Sequence, residues 1–184
     1  MASRKRNIAC LESLWDGKTE NRLNLIPMLE LISKTQKVKF SHLNCNTKAE
    51  FIYNLKLLCR KDYGVLYLAF HGSGGKISLH DETEIDFFTL AELMDNKFDG
   101  WIVHFGACGV FKRKKDLAQF VENTKVTLAT GYTKTVGWVE SAAFELLLFQ
   151  AFQSYQNPKS ACKGILNKYR DLVKQTGFCF YPEI

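Results

Sequence analysis

The 184 residues include 25 lysines and arginines against 19 aspartates and glutamates, a formal net charge of +6, and 46% of them are hydrophobic. That is enough chain for one domain with a sizeable core and too little for two. The longest apolar stretch, Phe144 to Phe152, contains Glu145 and Gln150 and falls far short of the ~20 residues a bilayer span needs, and no signal-peptide core follows the basic first residues, so the expectation is a cytoplasmic protein with no membrane contact.

Asn7 to Glu12 is an apolar run of strand length, and Leu23 to Lys34 places Leu, Ile and Met at helical spacing, with Pro27 tolerable in the first turn. Val38 to Leu43 alternates apolar and polar residues as a second strand. Thr47 with Glu50 three residues on makes a capping box, which predicts a helix through Leu58. Tyr63 to Phe70 is almost unbroken apolar, as in a strand covered on both faces of a parallel sheet, and runs directly into His71-Gly72-Ser73-Gly74-Gly75. Lys76 to Leu79 and Glu84 to Phe88 read as a hairpin, after which Thr89 is expected to cap a helix to about Asn96. Gly100 to Phe105 is another buried strand and ends at Gly106-Ala107-Cys108-Gly109. The remaining expectations are a short helix at Leu117 to Glu122, a strand at Val126 to Tyr132, an apolar helix at Val139 to Gln153, a last helix at Lys159 to Thr176 and a final strand at Phe178 to Tyr181.

Strands alternating with helices predict an α/β fold: a three-layer sandwich with a mostly parallel central sheet and helices on both faces, since parallel neighbours need crossover connections. No repeat or linker divides the chain, so residues 1–184 are expected to form one domain, with a basic, flexible arm at residues 1–6. In such sheets ligands bind beyond the carboxyl ends of the strands. The two most apolar strands end at His71 and Cys108; as neighbours about 4.8 Å apart they would hang both side chains over one crevice.

That pairing has a chemistry. A cysteine attacks a carbonyl as its thiolate and needs a base nearby, and the intermediate needs donors for its oxyanion. His71 is placed to be the acid/base partner of Cys108, and the backbone N–H groups of Gly72 and Cys108 are candidate oxyanion donors, with glycine at 72 and 109 allowing close approach. His104 lies four residues before Cys108 in strand periodicity and reads as a packed sheet position; His42 and His80 read as structural.

The strand ending Leu66-Tyr67-Leu68-Ala69-Phe70-His71-Gly72 and the next ending Val103-His104-Phe105-Gly106-Ala107-Cys108-Gly109 resemble the caspase-like (clan CD) cysteine peptidases, a group that includes caspases, metacaspases, separases and CHAT domains. The likeness covers about residues 7 to 155 as topology. Gly131-Tyr132 and Gly137-Trp138-Val139-Glu140-Ser141 look like the CHAT and separase segment in which a Trp and an acidic residue follow the next strand. The resemblance implies a caspase-like three-layer sandwich and a cysteine endopeptidase in which Cys108, His71 and the Gly72 amide carry over, without metal or organic cofactor. It also implies a protein or peptide substrate, a role in bacterial defence or regulated cell death, and a separate activating or sensor chain. Caspases and metacaspases place Gln or Asp two residues before the nucleophile, where this chain has Gly106, so neither specificity carries over; Glu12, Glu140, Gly106 and Trp138 are candidate substrate-binding residues, Glu12 and Glu140 as acidic walls for a basic residue, although isolated glutamates more often read as surface carboxylates.

Other readings are weaker. Gly72 to Lys76 fails as a phosphate loop, which would need Gly at Phe70 and Ser or Thr at Ile77. The six cysteines show no zinc-ligand spacing. The basic clusters Arg4-Lys5-Arg6 and Lys112 to Lys115 come with no recognition motif, so nucleic acid is not the expected partner, although a nucleic-acid-associated defence component is the third reading. The alternative to the peptidase is a catalytically inactive caspase-like interaction module using the same crevice. Trp15, Trp101 and Trp138 are expected to pack the core, with Trp138 able to line a peptide groove.

Overall fold

A computed structural model describes residues 5–18, 20–59 and 62–183. Its centre is a six-stranded sheet in the order β2 (Phe40–Asn44), β1 (Ile8–Glu12), β3 (Val65–Ala69), β7 (Ile102–Phe105), β8 (Leu128–Tyr132), β9 (Phe178–Tyr181), all parallel except β9, which runs antiparallel to β8. A second, antiparallel sheet holds β4 (His71–Ser73), β5 (Lys76–Ser78) and β6 (Glu84–Asp86). The expected hairpin is therefore three-stranded, and the unforeseen strand begins at His71.

The central strands read as continuous apolar runs because both faces are covered. Alternate residues enter two separate cores. Ala9, Leu11, Leu66, Leu68, Val103 and Phe105 pack with α2 (Lys48–Leu58), α3 (Phe87–Met94) and α4 (Lys114–Thr124), through residues such as Phe51, Leu90 and Phe120. Ile8, Cys10, Val65, Tyr67 and Ile102 pack on the other face with α1 (Ile26–Gln36), α5 (Trp138–Ser154) and α6 (Pro158–Lys168), through Leu29, Phe149 and Ile165. The mostly parallel sheet with helices on both faces is the predicted architecture.

Local chemistry explains the boundaries. Pro27 sits in the first turn of α1, and Thr47 and Glu50 form both bonds of the capping box of α2. The cap of α3 is Asp86, not Thr89: the Asp86 carboxylate accepts the Thr89 N–H at 2.8 Å, because β6 runs straight into the helix. The expected last helix is two, α6 and α7 (Arg170–Thr176), broken at Tyr169, whose φ of −123° leaves the helical region.

Residues 1–4 of the basic arm lie outside the described residues. Arg6 is fixed: its N–H donates to Gln153 Oε1 at 2.8 Å, and its guanidinium reaches the carbonyls of Phe152, Tyr155 and Gln156 at the end of α5. No helix among the described residues is long and apolar enough to cross a membrane.

The chain leaves β1 towards α1 on one face and returns from β2 through α2 on the other, so the connections diverge between β1 and β3. Such a switch point opens a crevice beyond the carboxyl ends of the strands. The loop after β1, carrying Trp15, and the end of β3, carrying His71, are its two banks.

Candidate active site

β3 and β7 are neighbours in register, Leu68 opposite Phe105, and Gly106 N–H donates to Leu68 O at 2.9 Å. The segments that follow, Phe70-His71-Gly72 and Gly106-Ala107-Cys108, therefore leave the same rim side by side. Their contact is tight. A Cβ at Gly72 would lie 2.7 Å from Val110 Cγ2, 2.9 Å from Ala107 Cβ and 3.0 Å from Cys108 O, so only glycine lets the histidine strand meet the cysteine turn this closely. His71 and Cys108 both line one pocket of about 250 Å³, with Trp15, Trp138, Tyr67, Tyr132, Gly106 and Glu145 among its other walls.

His71 Nε2 lies 2.9 Å from the backbone carbonyl of Trp15. A carbonyl only accepts, so the hydrogen sits on Nε2, and in the neutral ring Nδ1 carries the lone pair. The imidazole also meets the Trp15 indole edge-on at 5.3 Å, and Trp15 meets Trp138 edge-on at 4.9 Å. Trp15 is itself anchored: its Nε1–H donates to Glu12, whose carboxylate also accepts the Leu25 N–H at 3.2 Å and pairs with His42 Nε2. Glu12 is 2% exposed and does not line the pocket. Neither the surface carboxylate that sequence favours nor an acidic wall for substrate, it ties both ends of the loop after β1, because three donors converge on it.

Cys108 is partly buried. The N–H of Val136 points to its sulfur at 3.4 Å, and Gly109, at φ +62°, donates to Lys134 O at 3.1 Å, so the stretch after β8 clamps the cysteine turn. Gly109 occupies the left-handed region, which glycine enters without a Cβ penalty. The Gly72 amide is oriented by the hairpin. Gly74 (φ +56°) and Gly75 (φ +88°) have the signs of a type I′ turn, which closes on a hydrogen-bonded Ser73–Lys76 pair. The next pair, Gly72–Ile77, is then of the non-bonded kind, and the Gly72 N–H points off the free edge of β4. Among the described residues the Cys108 N–H has no backbone acceptor.

The floor is a buried polar cluster. Glu145, 2% exposed on α5, accepts from Tyr132 OH at 3.0 Å and His104 Nε2 at 3.1 Å on one oxygen and from Tyr67 OH on the other. His104 Nδ1 meets Thr130 Oγ1 at 2.8 Å, which makes it the packed sheet-face residue expected. Burial first, then the Glu145 charge, pushes both tyrosine hydroxyls well above their ordinary pKa, so they remain donors. Gly106 is explained here: a Cβ would fall 2.5 Å from Tyr67 Cε2 and 3.2 Å from Glu145 Oε1.

Of the sequence-derived residues, the structure brings His71, Cys108, Gly106 and Trp138 to one pocket and leaves Glu12 and Glu140 off its walls, Glu140 standing in the first turn of α5. Sequence reasoning missed Trp15, Tyr67, Tyr132 and Glu145 as pocket walls. The position of Trp15, just past the carboxyl end of β1, was the available signal. Among the other cysteines, burial raises the pKa of Cys10 and Cys162 and carries those of Cys45 and Cys179 to about 11 and about 12. Among the described residues no group of three or more His, Cys, Asp or Glu side chains is placed to hold a metal ion.

The chain matches a family of unknown function (DUF6642) over residues 5–182 and belongs to it. No curated protein matches it.

Proposed function

We propose that this member of a family of unknown function is a cysteine endopeptidase of caspase-like type, with Cys108 as nucleophile and His71 as acid and base. The observation that carries the reading is the meeting of two strand ends: His71-Gly72 packed on Ala107-Cys108 at one rim, with His71 Nε2 occupied by the Trp15 carbonyl. That leaves Nδ1 to exchange protons with the pocket.

In this mechanism the Cys108 thiol gives its proton to His71 Nδ1 and the sulfur attacks the scissile carbonyl carbon. The negative charge that develops on the carbonyl oxygen is met by the N–H groups of Gly72 and Cys108. His71 returns the proton to the amide nitrogen, the C–N bond breaks, and the amine leaves a thioester on Cys108. Water, deprotonated by His71, attacks the thioester; the acid leaves and the sulfur is reprotonated. By the resemblance to caspase-like peptidases the activity belongs in defence or regulated cell death, under the control of a separate activating protein.

Replacement of Cys108 by alanine tests the assignment. It removes the nucleophile and little volume, so cleavage of a peptide library should fall to background while the thermal midpoint stays within a few degrees. Cleavage that survives in Cys108→Ala refutes the nucleophile assignment, whereas peptide binding at the pocket with no cleavage by the unaltered protein favours the interaction module.

A further inference from the structure

We infer that the pocket beside Cys108 receives the substrate side chain on the amino-terminal side of the cut bond, and that it selects a large apolar residue there. The inference rests on the peptidase reading and adds the substrate class.

Two carboxylates line the pocket, Asp16 and Glu145, and the buried one, Glu145, invites a basic side chain. Its bonding argues against that. A carboxylate offers about four acceptor positions. Tyr132 and His104 take both on one oxygen, Tyr67 takes one on the other, and the group is 2% exposed. A guanidinium or ammonium group would find one acceptor position left, on a carboxylate only 2% exposed, and would have to give up its hydration to reach it. The main work of this carboxylate is to hold Tyr67, His104 and Tyr132 in place.

What remains open to a ligand is largely hydrocarbon and ring: Leu23, Leu25, Val136 and Trp138 on the walls and the rings of Tyr67 and Tyr132 below. Leu23 is 47% exposed, an apolar side chain left in water at the mouth. At about 250 Å³ the space exceeds several times the ~30 Å³ share of one water, which fits a Phe, Leu or Met side chain and leaves a small one underpacked. The close packing of Gly106 on Tyr67 and Glu145 keeps the floor flat, where any side chain at 106 would fill it. A charged side chain entering these walls would lose its hydration, and the other carboxylate of the lining, Asp16, already accepts the Lys18 N–H at 3.1 Å and faces Lys18 Nζ at 3.9 Å.

The experiment uses acetylated tetrapeptide substrates that differ only at this position, carrying Phe, Leu, Arg, Asp or Gly, with cleavage by the unaltered protein and binding to Cys108→Ala followed in parallel by tryptophan fluorescence. Phe and Leu are expected to exceed Arg, Asp and Gly by about 100-fold in kcat/KM, with the same order in binding. Leu23→Glu, at an exposed position, should lower Phe cleavage about tenfold and narrow the gap to Arg. Arg or Asp preferred in either assay overturns the inference and leaves the nucleophile assignment standing. Binding in the expected order with no cleavage of any peptide overturns the peptidase reading alone. Binding without any order overturns the pocket's selectivity.

Discussion

His71 donates from Nε2 to the carbonyl of Trp15 at 2.9 Å, and that single bond decides which nitrogen of the neutral ring keeps the lone pair. A backbone carbonyl cannot be removed by substitution, but what holds it can. Trp15 hangs on Glu12, so Glu12→Ala frees the loop after β1, whereas Glu12→Gln keeps one oxygen, which can still accept the Trp15 N–H though not the Leu25 N–H on the other side. His71→Ala should lower kcat by about 10²–10⁴ with KM little changed, as loss of a general acid and base does. Glu12→Ala should lower kcat about tenfold, the worth of one positioned hydrogen bond, and Glu12→Gln should restore most of it. Equal activity in the two Glu12 variants would show that the loop does not position the imidazole.

The thiols divide by environment. Cys45, carried to about 11 chiefly by burial, is thiolate to about one part in a thousand at pH 8, and Cys10, Cys162 and Cys179 are suppressed by the same cause. Iodoacetamide at pH 8 should therefore label Cys108 and the partly exposed Cys59 at least ~10-fold faster than the other four, and a bound peptide should protect Cys108 but not Cys59. The same shifts bear on stability. A thiol whose folded pKa lies above its ordinary value, about 9 for these, contributes stability that is fully present below that value and lost as pH rises through the folded one. The thermal midpoint should accordingly fall between about pH 9 and the folded values of about 11 and 12, and a midpoint unchanged from pH 8 to pH 11 would contradict the burial of these thiols.

Gly72→Ala tests the meeting of the two strand ends. The new Cβ would press on Val110, Ala107 and the Cys108 carbonyl at 2.7 to 3.0 Å, and two of those contacts belong to the cysteine turn itself. The turn must move, by a few tenths of an ångström or more. Cleavage should fall about 100-fold, since small misplacements of reacting groups are costly, while stability drops by only about 1–3 kcal/mol as in other overpacked sites. Wild-type kcat in a folded Gly72→Ala protein would mean that the spacing between His71 and Cys108 is not what activity depends on.

The rim was legible in the sequence because two kinds of signal agree there. An unbroken apolar run marks a strand covered on both faces, and a polar residue followed by glycine marks its end; Phe70-His71-Gly72 and Ala107-Cys108-Gly109 both show this. The failures have a common physical origin in tertiary convergence. Glu12 reads as exposed because an isolated glutamate usually is, yet His42, Trp15 and Leu25 supply three donors from distant parts of the chain and make burial favourable. Glu145 reads as a lone charge in an apolar helix for the same reason. Thr89 reads as a cap on propensity alone, and Asp86 displaces it because the preceding strand delivers its carboxylate to the Thr89 N–H. The split at Tyr169 leaves no mark in the helical periodicity, and nothing in the local sequence separates the two pieces.

Glu145 separates structural work from recognition. Among the described residues it is the one acceptor that Tyr67, Tyr132 and His104 share. Glu145→Ala strands these three groups under the pocket, at about 1–3 kcal/mol for each donor left unpaired, so the midpoint should fall by roughly 6 °C or more on the usual scaling of 2–4 °C per kcal/mol. Glu145→Gln retains one carbonyl oxygen and should lose about half as much. The charge itself offers a sharper test. If Glu145 served to bind a cationic side chain, Glu145→Gln would abolish cleavage of an Arg substrate and spare a Phe one; if it only braces the floor, both substrates should change by the same factor, within about threefold. The bracing role predicts the second outcome, because a carboxylate already holding three donors contributes to every substrate through the shape of the floor.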